Sequence, residues 1–254
     1  MNLPDYVRPE TITRKNPIPT LIHTGRIDRE DFSHLGVGDY TTTRANLKIQ
    51  DGCNFMCSFC LIPFARGRER SRELDDVVRE AEQLVERGHR EIVLTGVNIG
   101  QFSNRKLGIL ELIQRLEDIP SLARIRISSI EPTTIPEALL DYMSTSTKLC
   151  RFLHVPLQSG DNGILHAMNR RYSVEEYSEW VSRAARKVQD VCIGTDLMVG
   201  FPGENEQQFA QTRAVVADLP LAYFHVFSYS ARPGTAAIRL KSRVPAQTIK
   251  ERSA

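Results

Sequence analysis

The sequence predicts an α/β protein in which strand and helix alternate six times, folded as an open, partial (β/α)6 barrel. Three observations carry this. Short β-rich apolar runs recur along the chain, amphipathic helical runs separate them, and glycine or polar clusters stand just after most of the apolar runs. Alternation of this kind gives parallel strands joined by right-handed crossovers. Six units rather than eight predict a sheet that curls without closing.

The first unit begins with Ala45 to Gln50, where Leu47 and Ile49 alternate with polar residues. Leu74, Val77, Val78, Ala81, Leu84 and Val85 fall at the spacings of one helix face, and Gly88 stops that helix as a C-cap. Ile92-Val93-Leu94 is a short buried strand, followed by a helix from about Leu107 to Leu116. Ile125 and Ile127 mark the third strand, and Pro136 sits at the first turn of the helix after it. Phe152 to Pro156 is the fourth strand, trailed by a short helix near Ile164–Met168 and a longer one carrying Val174, Tyr177, Val181, Ala184 and Val188. Val191–Val199 is the fifth strand with its helix from Phe209 to Leu219, and Phe224–Tyr229 is the sixth. Residues 1–42 carry Pro4, Pro9, Pro17 and Pro19 among charged residues without a period, and read as a linker or extended arm. The core domain is then 43–240, with 241–254 the truncated start of a C-terminal region.

At 254 residues the chain can bury one substantial core, and its net charge of +2 neither demands nor excludes a nucleic-acid partner. No run approaches the apolar length of a membrane span, and the N-terminus lacks a basic stretch followed by an apolar one. Unpaired thiols place the protein in a reducing cytoplasm.

Cys53-Asn54-Phe55-Met56-Cys57-Ser58-Phe59-Cys60 opens just after the first strand. Its spacing lets one loop present three thiolates to a cubane 4Fe–4S cluster, leaving one iron without a protein ligand. Two other readings weigh less. A structural zinc site asks for four ligands, commonly in two Cys/His halves, but Cys150 and Cys192 stand alone and the nearest downstream histidine is His89. Disulfides would leave one of five cysteines unpaired and crowd three into eight residues. Sites in parallel α/β folds lie at the C-terminal ends of strands, which is where this loop falls.

CNFMCSFC resembles the Cys-x3-Cys-x2-Cys loop of the radical S-adenosylmethionine (SAM) superfamily. More narrowly, KIQDGC, LIPFARGRERSR, EIVLTGVNIG, RIRISSIEP, LHVPLQSGDN, DLMVGFPGE and FSYSARPGTAA resemble, in order, blocks of the methylthiotransferase family from about Arg44 to Ala237. KIQDGC and LTGVNIG look closest to the branch that modifies threonylcarbamoyladenosine in tRNA; the isopentenyladenosine branch is less similar. The resemblance implies a fold of the radical SAM type. Its cluster, held by Cys53, Cys57 and Cys60, chelates SAM and cleaves it reductively to methionine and a 5′-deoxyadenosyl radical. It also implies methylthiolation of carbon 2 of a modified adenine beside the anticodon, with tRNA and an electron donor of the flavodoxin or ferredoxin type as partners.

Each strand end then has an expected role beside an ordinary structural one. Thr95, Gly96 and Asn98 follow the second strand and are expected at the methionine end of SAM, or as a plain βα turn. Ser129 and Glu131 follow the third and either meet a ribose or ammonium group or cap the next helix. Gln158 lies past the fourth strand, facing cofactor or RNA, while His154 reads as a core histidine before a catalytic one. Arg170 matches the family's Met-x-Arg element and looks like a partner for the SAM carboxylate. Asp196 and Gly200 belong to the stretch the resemblance places round the adenine, with Phe59 a flat face opposite. Arg66, Arg68, Arg70 and Arg72 follow the cysteine loop and form a candidate RNA-phosphate contact, or a solvated basic loop. Family members also carry a preceding cysteine-bearing domain and a following RNA-binding domain. The expectation is therefore of a fragment that cleaves SAM without methylthiolating tRNA alone. Another radical SAM reaction, or a non-catalytic RNA-binding remnant, are the other expectations.

Overall fold

A computed structural model describes residues 43–254, and the stretch read as a linker or arm lies outside them. Six parallel strands form the frame: β1 (Arg44–Lys48), β2 (Glu91–Thr95), β3 (Arg124–Ile127), β4 (Phe152–His154), β5 (Cys192–Val199) and β6 (Tyr223–Ser228). They pair in sequence order as two three-stranded sheets, β1–β2–β3 and β4–β5–β6. Arg44 stands opposite Glu91, Glu91 opposite Arg124, Phe152 opposite Cys192, and Gly194 opposite Tyr223. Isolated parallel bridges, Ile125 with Leu149 and Ser129 with His154, carry the order across the gap between the sheets. The N–H of Ile130 donates to the His154 carbonyl at 3.0 Å there. The barrel does not close: among the described residues β1 and β6 have no common ladder.

Period-2 alternation splits β1–β5 between two environments, whereas both faces of β6 are part-exposed. Ala45, Leu47, Ile92, Leu94, Ile125, Ile127, Leu153 and Ile193 point outward to the helices and are fully buried. Their inward neighbours line the barrel lumen and are largely polar. The crossover helices are α1 (Leu74–Glu86), α2 (Ile109–Glu117), α3 (Glu137–Thr145), α4 (Asn162–Ala167), α5 (Val174–Lys187) and α6 (Glu206–Asp218), with α7 (Ala246–Arg252) at the end. α1 buries the predicted stripe Leu74, Val77, Val78, Ala81 and Leu84. Gly88 ends it with φ +98°, and the following His89 N–H reaches back to the Leu84 carbonyl at 3.1 Å.

Three boundaries move for identifiable reasons. α2 starts after Leu107, because Asn104 and Leu107 close a small antiparallel bridge and Gly108 N–H is capped by Glu111 at 2.7 Å. Pro136 precedes α3 as its N-cap residue, with ψ 138°, instead of sitting in the first turn. α6 starts before Phe209 because Asn205 and Gln208 form a reciprocal capping box at 2.9 and 3.0 Å. No helix among the described residues is long and apolar enough to cross a membrane.

Candidate functional site

After β1 the chain bends at Gln50–Asp51, which pairs antiparallel with Arg70–Ser71 and closes the base of the cysteine loop. Gly52 has φ +69°, and a Cβ there would lie 2.0 Å from the Arg68 carbonyl oxygen, so only glycine fits. Asp51 anchors the base: Lys48 at 2.7 Å, Arg66 at 3.2 Å and the Gly52 N–H at 2.8 Å all donate to it. Burial disfavours its charge, yet these donors hold the carboxyl below its ordinary range.

The loop is clamped onto the end of α4 and the stretch after β6. Ser58 donates through Oγ to the Ala167 carbonyl at 2.8 Å and through N–H to the Met168 carbonyl at 2.9 Å. Asn169 donates to the Met56 carbonyl at 2.7 Å, and Ala237 N–H to the Ser58 carbonyl at 2.8 Å. Phe59 packs edge-on to Phe201 at 6.5 Å in a small apolar cluster with Ile164, Met168, Met198, Ala237 and Tyr229.

All three thiols receive an N–H donor. Phe55 N–H lies 3.3 Å from Cys53 Sγ, Ile62 N–H 3.4 Å from Cys60 Sγ, and Arg170 Nη1 3.4 Å from Cys57 Sγ. Burial pushes the Cys53 and Cys57 thiols up, so a metal must drive their ionisation. The three sulfurs do not gather within 4.8 Å of one another, the spacing a single ion asks of its ligands. A polynuclear cluster takes thiolates spread round a wider body. The trio fits an iron–sulfur cluster better than one zinc ion.

Behind Cys57 sits a buried polar network. Arg170, 3 % exposed in its side chain, pairs with Glu131. Its Nε and Nη2 lie 3.0 and 2.8 Å from the Tyr172 hydroxyl. That hydroxyl in turn contacts the carbonyls of Pro156 and Leu157 at 2.7 and 3.0 Å. Burial opposes the guanidinium charge, but Tyr172, Glu131 and Cys57 hold its pKa above the ordinary value. Burial pushes Glu131 up despite Arg170, with Asp196 adding to the rise. Arg170 therefore reaches the cysteine loop itself, with Glu131 and Tyr172 as its other protein partners. Tyr172, which sequence reasoning missed, is the hub; its only signal was an aromatic two residues beyond Arg170.

Gln50, also missed, is fully buried and joins the loop to the second strand end. Its Oε1 accepts from the N–H groups of Val97 and Asn98 at 2.9 Å each, while its Nε2 donates to the Asp51 and Gly52 carbonyls. A Cβ on Gly96 would stand 2.8 Å from Gln50 Oε1. Thr95 ends β2, and Asn98 is buried with Oδ1 accepting from Thr134 at 3.1 Å and Nδ2 without a partner. Ser129 is exposed, joined to His154 through its backbone. Gln158 takes φ +70°, its N–H on the Asp196 carbonyl at 2.8 Å and its carbonyl accepting from Met198. Gly200 has φ +76° and donates to Glu204 at 2.7 Å. Glu204 caps no helix: it is buried against Arg252 at 2.7 Å. Asp196 points into the lumen between His154 and His225 at 3.0 and 3.2 Å.

The arginine run is split by the fold. Arg72 is buried, with Asp76 and Glu80 each at 2.5 Å and the Lys48 carbonyl at 3.0 Å, and presents no charge outward. Arg70 is mostly covered, near Asp51 at 3.6 Å. Arg66 and Arg68 remain exposed. The alternating spacing was legible, but not that Asp76 and Glu80, one and two helical turns on, draw Arg72 inward.

The Radical SAM superfamily profile matches residues 47–216, more than half of the chain. A threonylcarbamoyladenosine tRNA methylthiotransferase, MtaB, of Bacillus subtilis is 38 % identical over 225 residues, 87 % of this chain and 50 % of that protein. A tRNA-2-methylthio-N6-dimethylallyladenosine synthase of Dehalococcoides mccartyi is 42 % identical over 198 residues, 77 % of this chain and 47 % of that protein. The chain spans about half the length of the curated relatives it matches. Among solved structures, the methyltransferase TsrM of Kitasatospora setae superposes with TM-score 0.60 at 19 % identity, covering 76 % of this chain and 38 % of that one. Coproporphyrinogen III oxidase HemN of Escherichia coli gives 0.59 at 21 %, covering 82 % and 50 %. These two show the fold. The chain belongs to the Radical SAM superfamily.

Proposed function

We propose that this member of the Radical SAM superfamily is the core of a tRNA methylthiotransferase, acting at carbon 2 of N6-threonylcarbamoyladenosine beside the anticodon. The observation that carries the reading is the thiol trio Cys53, Cys57 and Cys60, each with its own N–H donor, at the mouth of a parallel half-barrel. Relatives named for methylthiolation of tRNA adenosines over most of the chain support the substrate class. The KIQDGC and LTGVNIG phrases favour the threonylcarbamoyl branch over the dimethylallyl one.

In this reading the three cysteines hold a 4Fe–4S cluster, and the cluster with SAM supplies a carbon radical by one-electron cleavage of the sulfonium. The chain's own residues bind, orient and exclude water. Gln50 fixes the loop base against the Thr95–Asn98 turn, so cluster and SAM methionine end share one rigid support. Asn98 Nδ2, buried without a partner, offers a donor at that end. Arg170 gives an N–H to Cys57 and, with Glu131 and Tyr172, keeps charge balanced behind the cluster. Phe59 with Met198, Phe201 and Tyr229 supplies the apolar wall expected to face the adenine. Arg66 and Arg68 are the exposed cations offered to RNA phosphates. The reductant is an electron donor of the flavodoxin or ferredoxin type, and the setting is cytoplasmic.

The test is nucleoside mass spectrometry of tRNA incubated anaerobically with reconstituted protein, SAM and reductant, with and without the other half found in the relatives. Methylthio-threonylcarbamoyladenosine supports the reading. Methylthio-dimethylallyladenosine would move the chain to the other branch. SAM cleavage with no modified tRNA in either arm would point to another radical reaction.

A further inference from the structure

One level below the mouth, three metal-ligating side chains from three adjacent strands converge in the lumen. His154 of β4, Asp196 of β5 and His225 of β6 place their ligand atoms within 4.8 Å of one another, the one such trio of His, Cys, Asp or Glu among the described residues. His154 Nε2 lies 3.0 Å and His225 Nδ1 3.2 Å from the same oxygen, Asp196 Oδ1. Donors bound to one ion at about 2.0–2.2 Å sit about 3.0–3.5 Å apart in octahedral or tetrahedral geometry. The two nitrogen–oxygen spacings already match those of a coordination sphere, and the two nitrogens lie within 4.8 Å of one another.

The rings are held before any ion arrives. Tyr223 Oη lies 3.0 Å from the other nitrogen of His154, Nδ1. Its ring stacks on His154 at 5.8 Å and lies 5.3 Å from His225, and the two imidazoles stack at 5.5 Å. Gly194, opposite Tyr223 in the ladder, makes this possible: a Cβ there would stand 2.1 Å from the tyrosine ring. A histidine ligand whose second nitrogen is hydrogen-bonded is the usual outer-shell arrangement of a metal site.

We propose that His154, Asp196 and His225 bind a single divalent transition-metal ion in the lumen, separate from the cysteine loop, through two imidazole nitrogens and one carboxylate oxygen. Without the ion, both imidazoles donate N–H to Asp196. With it, each ring carries its proton on the other nitrogen: His154 Nδ1–H donates to Tyr223 Oη, and His225 Nε2–H faces the lumen. No proton is lost, and the ion stands where the two had been. Two imidazoles and a carboxylate suit zinc, iron(II), cobalt(II) or manganese(II), and leave coordination positions open toward the lumen.

The experiment uses the full chain, reconstituted anaerobically so that the loop thiols are occupied, then washed with chelator. Zinc is titrated by calorimetry and cobalt(II) by absorbance. One equivalent should bind beyond the cluster iron, the cobalt form showing weak visible bands without thiolate charge transfer. Asp196→Asn and His225→Gln should weaken binding more than 10-fold, and Tyr223→Phe by about 10-fold, with iron and sulfide content unchanged. His225 is half-exposed, so its variant tests the site even if His154→Gln fails to fold. No bound ion, equal affinity in His225→Gln, or cobalt thiolate bands would each overturn the proposal.

Discussion

The two halves of the barrel treat charge on their inner faces in opposite ways. In β1–β3, Glu91 is ringed by Arg44 at 3.3 Å, Arg124 at 3.1 Å and Arg126 at 2.9 Å, one carboxylate held by three guanidinium groups. In β4–β6, Asp196 shares one oxygen between two imidazoles, His154 at 3.0 Å and His225 at 3.2 Å. Guanidinium is a fixed charge without a free lone pair, whereas neutral imidazole offers a nitrogen that can accept a hydrogen bond or a metal. The outer faces differ too. Those of β1–β3 are sealed under helices, whereas Phe224 on β6 is 50 % exposed. The first half is a frame and the second carries the adaptable chemistry. The cysteine loop leaves the frame and is fastened onto the other half by Ser58, Cys57 and Arg170.

The largest test of that division is Cys57→Ala, which should abolish the brown absorbance of the reconstituted cluster while leaving far-ultraviolet circular dichroism intact. Retention of most of the iron would mean that the loop is not the cluster site.

Next in size come the two buried arginines, one per half. Arg72 is paired with Asp76 and Glu80, and Arg170 with Glu131. Arg170→Ala strands the largely covered Glu131 and should cost about 3–5 kcal/mol in urea unfolding. Arg72→Ala removes a buried cation from two part-exposed carboxylates and should cost about 1.5–3 kcal/mol. Only Arg170→Ala should also shift the cluster's reduction potential, since only it donates to a ligand sulfur. Equal potentials in the two variants would erase the distinction between frame and site.

A smaller effect separates the carboxylates by pH. Glu91 and Asp196 both work against burial, yet their partners hold them below the ordinary 4.5 and 3.8. The stability each adds is therefore fully present above its unfolded value and fades as pH falls through the folded one. Glu91→Gln should cost about 1–3 kcal/mol at pH 7 and flatten the acid limb of the stability curve. Glu131, pushed up by burial, runs the other way: it favours the folded state below pH 4.5 and weakens that bias as pH rises. An acid limb identical to that of the parent protein would remove Glu91 from the frame.

The smallest change expected in stability is Arg68→Ala, within about 0.5 kcal/mol. It should nonetheless weaken tRNA binding and reduce its salt dependence by about one counterion, since Arg68 is exposed beside the site. Filter binding across a salt series reads this directly.

Much of this was visible in the residues. Six strands, their order and the helices between them follow from alternation at Leu47 and Ile49 and from the stripe Leu74–Leu84. The cysteine spacing and its place after the first strand were legible too. What the chain did not disclose are contacts between side chains far apart in sequence. Arg170 meets Cys57 across 113 positions and Gln50 meets Asn98 across 48. Such partners depend on how strands and loops stack, which periodicity does not encode. His154, Asp196 and His225 lie on three strands, and the β4–β5 and β5–β6 registers, which set His154 opposite Gly194 and Asp196 opposite His225, bring them together. Read singly, His154 was a core histidine before a catalytic one and Asp196 a residue of the adenine stretch, and nothing in the sequence tied His225 to either.

The central claim is that Cys53, Cys57 and Cys60 hold a cluster that cleaves SAM. Anaerobic reconstitution of the full chain, followed by iron, sulfide and zinc analysis and a reduced incubation with SAM, tests it most directly. About four irons with matching sulfide per chain are expected, together with methionine and 5′-deoxyadenosine formed in equal amounts and none from Cys57→Ala. One zinc on the cysteine loop with no sulfide, and intact SAM after reduction, would contradict it.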